Sequence, residues 1–90
     1  MEKLKSPFAP RDGRPDGPRQ PEVRELIDTN SYKGEVGRRA CTEDFLDRGY
    51  RLTENELSHF LRGTRFFNIY GKCIISEFVG RKVQSLFPGE

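Results

Sequence analysis

The sequence predicts a mainly α fold, a small bundle of three to four short helices that follows a flexible N-terminal arm. Three observations carry this reading. Two successive segments, 42–49 and 53–63, each open on a threonine and close on a glycine, the punctuation of short helices. The segment 64–87 is the most apolar of the chain and repeats its apolar residues at helical spacing. Five of the six prolines fall within residues 1–21 and the sixth is Pro88 near the end, so residues 22–87 are free of the strongest helix breaker.

Residues 1–20, MEKLKSPFAPRDGRPDGPRQ, mix proline, glycine and charges of both signs. Such a composition offers little apolar area to offset its ordering entropy, so it reads as a flexible arm ahead of a single small domain at 21–90. Its Pro-Asp-Gly at 15–17 is turn chemistry. As a functional element it is an arm that orders on a partner, with Phe8 as apolar anchor and Arg11, Arg14 and Arg19 as charge contacts. Pro21 suits the first position of a helix, and Val23, Leu26 and Ile27 form one apolar stripe that should end near residues 28–30. The following DTNSYKGEVG, 28–37, is a loop by composition. Its Asp-x-Asn opening has the start of a calcium loop. Tyr32 at the fifth place, Gly34 at the seventh and Arg39 where a bidentate glutamate belongs rule that out.

A second helix is expected from Thr42, with Glu43 and Asp44 in its first turn, Phe45 and Leu46 on its apolar face and Gly49 at its end. The third is the best defined. Thr53 caps it, Glu56 three residues on completes a capping box, and Leu52 and Leu57 occupy the places of a hydrophobic staple. Gly63 supplies the left-handed residue after Arg62, and Thr64 is placed to cap a further helix.

That further helix is the main ambiguity. Read as α, the segment puts Phe66, Phe67, Ile69, Tyr70, Cys73, Ile74 and Phe78 on one broad face. Arg65, Asn68, Lys72 and Ser76 lie opposite. Ile75, Val79, Val83 and Leu86 form a second apolar face, either a seam for a homodimer or part of the core, with a kink near Gly80. Read as strands, FFNIY and CIISEFV flank a two-residue turn at Gly71-Lys72. The alternative fold is therefore α+β, helices plus a 66–78 β-hairpin, winged-helix-like with 53–62 as the reading helix. Periodicity favours the helix, because both faces of the hairpin would be largely apolar.

Composition narrows the function classes. The chain has 90 residues and a net charge of +2, with 33% apolar and 33% charged residues. This allows one domain with a modest core, so partner binding or self-association would add useful burial. The balance lacks the strong basic excess of a dedicated nucleic-acid binder. No apolar run approaches the roughly 18–20 residues that cross a membrane. No secretory signal opens the sequence, so Cys41 and Cys73 read as reduced thiols of a protein inside the cell.

No catalytic constellation stands out. His59 is the sole histidine and lies on the flank of its helix with no triad partner nearby in sequence. Cys41, His59 and Cys73 are too widely spaced for a zinc site, and no phosphate-cradling glycine motif occurs. No cofactor or metal is expected. What remains is a basic stripe interleaved with aromatics, Arg62, Arg65, Asn68 and Lys72 beside Phe66, Phe67 and Tyr70. The leading expectation is a non-enzymatic regulatory or inhibitory protein that binds a larger protein through Phe8, Arg11, Arg14 and this stripe. The alternative is nucleic-acid binding through Arg38, Arg39, Arg62, Arg65, Lys72, Arg81 and Lys82.

Overall fold

A computed structural model describes residues 3–10 and 21–87. In chain order the elements are α1 (Pro21–Thr29), β1 (Ser31–Tyr32), β2 (Glu35–Val36), α2 (Arg38–Asp47), α3 (Glu54–Arg62), α4 (Ile69–Val79) and α5 (Val83–Leu86). The mainly α expectation holds. A small antiparallel strand pair is present, but at 31–36 and not at 66–78.

Helix α1 starts on Pro21 and buries Val23 and Ile27, as its stripe requires. Its last turn closes when the Asn30 side-chain amide donates to the Leu26 carbonyl at 2.6 Å. The strand pair follows at once, with Ser31 opposite Val36 and Tyr32 opposite Glu35. Between them Lys33 and Gly34 both take positive φ, 51° and 83°, the backbone of the two-residue turn that matches strand twist. The hairpin is pinned to the end of α2. Tyr32 donates its hydroxyl to Asp47 at 2.7 Å, and the Lys33 ammonium lies 2.6 Å from the same carboxylate oxygen.

Helix α2 begins four residues earlier than Thr42. Thr42 is interior, with its hydroxyl donating back to the Arg39 carbonyl at 2.8 Å. The extension is driven by Ala40 and Cys41, both fully buried beside Phe45. Asp44, expected in the first turn, is interior to the longer helix and buried, and its carboxylate accepts from Arg48 Nε at 2.8 Å. A second Arg48 contact, to Glu77, ties α2 to α4.

Helix α3 follows its signals. Thr53 Oγ1 accepts from Glu56 N at 3.1 Å and Glu56 Oε1 accepts from Thr53 N at 3.2 Å. Leu52 and Leu57 are both buried, and Gly63 closes the helix in the left-handed region. Thr64 does not cap the next helix. Its hydroxyl donates back to the His59 carbonyl at 2.9 Å, and the cap of α4 passes to Asn68, whose side chain accepts from Gly71 N at 2.9 Å. That cap places Gly71 and Lys72 inside a helix, which removes the hairpin turn. Gly80, at φ 70°, ends α4 outright where a kink was expected.

Packing against the core selects one face of α4. Gly71, Ile74, Ile75, Phe78 and Val79 are buried, while Ile69, Tyr70 and Cys73 are exposed. Ile75, Val79 and Leu86 lie in the core, with Val83 packed against it. The second face is therefore interior, and these residues do not provide a dimer seam.

Residues 3–10 depart most from expectation. They do not form a free arm. Residues 5–9 run extended between 49–51 and 66–68. Lys5 N donates to Gly49 O at 3.0 Å and Arg51 N to Lys5 O at 2.8 Å. On the other side Ala9 N donates to Phe66 O and Asn68 N to Pro7 O, each at 2.8 Å. Phe8 enters the core at 6% exposure and stacks on Phe67, centroids 5.2 Å apart. Phe67 in turn meets Phe45 at 5.5 Å and Phe60 at 4.2 Å. A Pro-Phe pair thus supplies burial that the average composition of residues 1–20 conceals. Arg11, Arg14 and Arg19 lie outside the described residues, as does the rest of 11–20.

Candidate functional site

The expected basic and aromatic stripe is held by the chain itself. The Arg65 guanidinium lies over the Phe8 ring, 4.2 Å from its centroid, an attraction between cation and ring quadrupole. Its Nε is buried and, among the described residues, lacks a hydrogen-bond partner. Asn68 acts twice, capping α4 through Oδ1 and donating Nδ2 to the Ser6 carbonyl at 3.1 Å. The Lys72 ammonium sits 5.4 Å from the Phe87 ring centroid. Phe8, Arg65 and Asn68 therefore do come together, but with Arg65 and Asn68 holding the segment 5–9 that carries Phe8. Phe8, expected as an exposed anchor, is buried in the core of its own chain.

The other basic residues are distributed over separate elements. Arg38 Nη1 donates to Ser58 Oγ at 3.0 Å, joining α2 to α3. Arg39 Nε lies 3.7 Å from Glu35 across two exposed side chains, a contact worth little in water. Arg62 is exposed at the end of α3, and Arg81 and Lys82 are exposed in the link between α4 and α5.

An apolar surface emerges where periodicity had placed core. Ile69 is 70% exposed and Tyr70 62% exposed, at the first two positions of α4. The Tyr70 ring stacks beside Tyr50, centroids 6.3 Å apart. Leu4, also exposed, adjoins the Lys5–Tyr50 pairing. Exposed Cys73 lies one turn beyond Ile69 and Tyr70. The available signal was Asn68: with that residue as cap, Phe66 and Phe67 fall outside the helix, and at helical spacing Gly71, Ile74, Ile75, Phe78 and Val79 form the inward stripe with 69–70 off it.

His59 has a structural engagement. Its Nδ1 lies 3.1 Å from Thr64 Oγ1. Because that hydroxyl donates to the His59 carbonyl, the ring nitrogen serves as the donor. The imidazole thus closes the C-terminal turn of α3. Cys41 is a buried free thiol whose pKa is pushed up by desolvation and by the nearby Asp44 carboxylate. Among the described residues no group of three or more His, Cys, Asp or Glu side chains is placed to hold a metal ion. No helix among them is long and apolar enough to cross a membrane.

The sequence matches no protein-family model and no curated protein, and the structure matches no solved structure.

Proposed function

We propose that this chain is a small non-enzymatic binding protein, a regulator or inhibitor of a larger protein partner, and that it docks through Ile69 and Tyr70 with Tyr50 and Leu4 at their border. The observation that carries this reading is the exposure of two large apolar side chains in sequence on one helix turn, while Ile74, Ile75, Phe78 and Val79 of α4 satisfy the core. Contiguous exposed apolar area on a small domain is characteristic of contact surfaces. Aromatic side chains contribute much of the energy in such contacts. Arg62, on the neighbouring helix end, is available to a partner, whereas Arg65, Asn68 and Lys72 contribute by holding segment 5–9 and Phe87. The reading takes the protein to work in a reducing compartment, where Cys41 and Cys73 stay free thiols.

The test is affinity capture from the native host with tagged wild-type chain and with an Ile69→Lys/Tyr70→Ser variant, each with and without nuclease. Both positions are exposed, so circular dichroism and thermal unfolding of the variant should match wild type. Nuclease-resistant capture of a protein by wild type alone supports the reading. Capture that the variant retains overturns the assignment of the surface. Nuclease-sensitive capture that weakens steeply with salt favours the nucleic-acid alternative through Arg38, Arg39, Arg62, Arg65, Lys72, Arg81 and Lys82.

A further inference from the structure

We propose that the groove holding segment 5–9 also accepts the same segment from a second copy of this chain, producing an arm-exchanged dimer.

The segment is held as a bound peptide would be. Its inter-segment backbone bonds run outward to 49–51 on one side and to 66–68 on the other, and the Asn68 amide adds a side-chain bond to Ser6 O. This is strand addition, in which main-chain bonds supply affinity and pockets select side chains. The pockets here are specific. Pro7 is fully buried. Phe8 is enclosed by Phe67 below and Arg65 above. Gly71 leaves the space for the Pro7 carbonyl, since a Cβ there would stand 2.4 Å from that oxygen. The occupant that fits these features is an extended Ser-Pro-Phe-Ala segment, and a second copy carries one.

Reach and energetics permit the exchange. Residues 11–20 connect Pro10 to Pro21 in sequence, a run that can span roughly 35 Å when extended. The longest dimension of the molecule is 35 Å. Contacts in the groove are the same whichever copy supplies the segment, so the balance sets protein concentration against the effective concentration of the chain's own segment. A short connection holds its own segment at an effective concentration on the order of 1 mM. Exchange should therefore become substantial near that protein concentration. Reciprocal insertion closes a twofold dimer with no new surface required. Once formed, the dimer should persist on dilution, because separation requires both Phe8 side chains to leave the core.

The experiment refolds the full chain from denaturant at about 20 µM and at about 1 mM, the latter chosen to equal the effective concentration. Size-exclusion chromatography with light scattering gives the mass. An equal mixture of isotope-labelled and unlabelled chains, unfolded and refolded together, is then examined for isotope-filtered contacts between Phe8 of one copy and Phe67 of another. The expected result is monomer at the low concentration, a species of doubled mass at the high one, and intermolecular Phe8–Phe67 contacts confined to that species. Phe8→Ala should abolish the doubled species wherever the variant remains folded. Monomer at both concentrations overturns the proposal, and so does a dimer without intermolecular Phe8–Phe67 contacts.

Discussion

A Cβ on Gly71 would stand 2.4 Å from the Pro7 carbonyl oxygen and 2.8 Å from Phe67 Cδ1, so α4 and segment 5–9 meet backbone against backbone. On an isolated helix Gly→Ala gains up to about 1 kcal/mol. Here the same change should destabilise, by about 1–3 kcal/mol as for other overpacked sites. Urea unfolding measures the sign. Hydrogen exchange at the amides of Lys5 and Ala9 should accelerate in Gly71→Ala if the segment has been pushed out.

Phe8→Ala separates a docked segment from a free arm. Phe8 is 6% exposed within the aromatic cluster, and truncating a buried phenylalanine costs about 3–5 kcal/mol. A free arm would give no change in the urea midpoint. The expected outcome is a shift large enough to threaten folding of so small a domain, with Phe8→Leu recovering much of it.

Arg48 supports a buried charge. Asp44 is 4% exposed and receives Arg48 Nε at 2.8 Å. Arg48→Met leaves that carboxylate without the donor and should cost about 1–3 kcal/mol, the range for a buried group left unsatisfied. Adding Asp44→Leu to the same chain should restore part of the loss, because two matched apolar residues avoid the desolvation of the pair.

Acid should loosen the strand pair. The Lys33 ammonium and then the Tyr32 hydroxyl hold the Asp47 carboxyl below its ordinary range. A carboxyl depressed in the folded state contributes stability above its unfolded pKa, about 3.9. That contribution is lost as pH falls through the lower folded value. Two-dimensional NMR between pH 7 and pH 2 should show residues 31–36 shifting with a midpoint below about 3.9. Asp47→Asn should remove that transition.

The two thiols should react very differently. Desolvation, and secondarily Asp44, raise the Cys41 thiol well above its usual range, whereas Cys73 is exposed. A disulfide reagent at neutral pH should titrate one thiol quickly in native protein and both in denaturant. Rapid reaction of both in the native state would show that the Cys41 site opens freely.

Local punctuation was legible because its chemistry is complete within a few residues. The capping box of α3 needs Thr53 and Glu56 alone, and the left-handed closure at Gly63 needs the absence of a Cβ. The same is true of Pro21 at the start of α1. Where two residues competed for one role, sequence reasoning chose the nearer one. Thr42 and Thr64 resemble caps, but each turns its hydroxyl back onto a preceding helical carbonyl, and Ala40, Cys41 and Asn68 set the actual helix starts. The strand pair at 31–36 had a signal in Lys33-Gly34, yet four residues of strand carry too little alternation to be read as sheet.

The candidate surface was less legible, since it depends on which face of α4 meets solvent. At 100° per residue Gly71, Ile74, Ile75, Phe78 and Val79 share one face and Ile69 and Tyr70 lie off it; the broad face read from the sequence included Phe66 and Phe67, which precede the helix.

By itself, then, the sequence determined the helical class, the bounds of α1 and α3, and the glycines that follow α2 and α3, Gly49 and Gly63, because backbone sterics and capping act over a handful of neighbouring residues. Only the tertiary structure decided that Phe8 belongs to the core, that Arg65 and Asn68 clamp their own chain, and that Ile69 and Tyr70 are left uncovered. Those outcomes depend on which distant segments meet, Phe8 against Phe67 and Pro7 against Gly71, and burial between such segments is a property of the assembled fold that no local window contains.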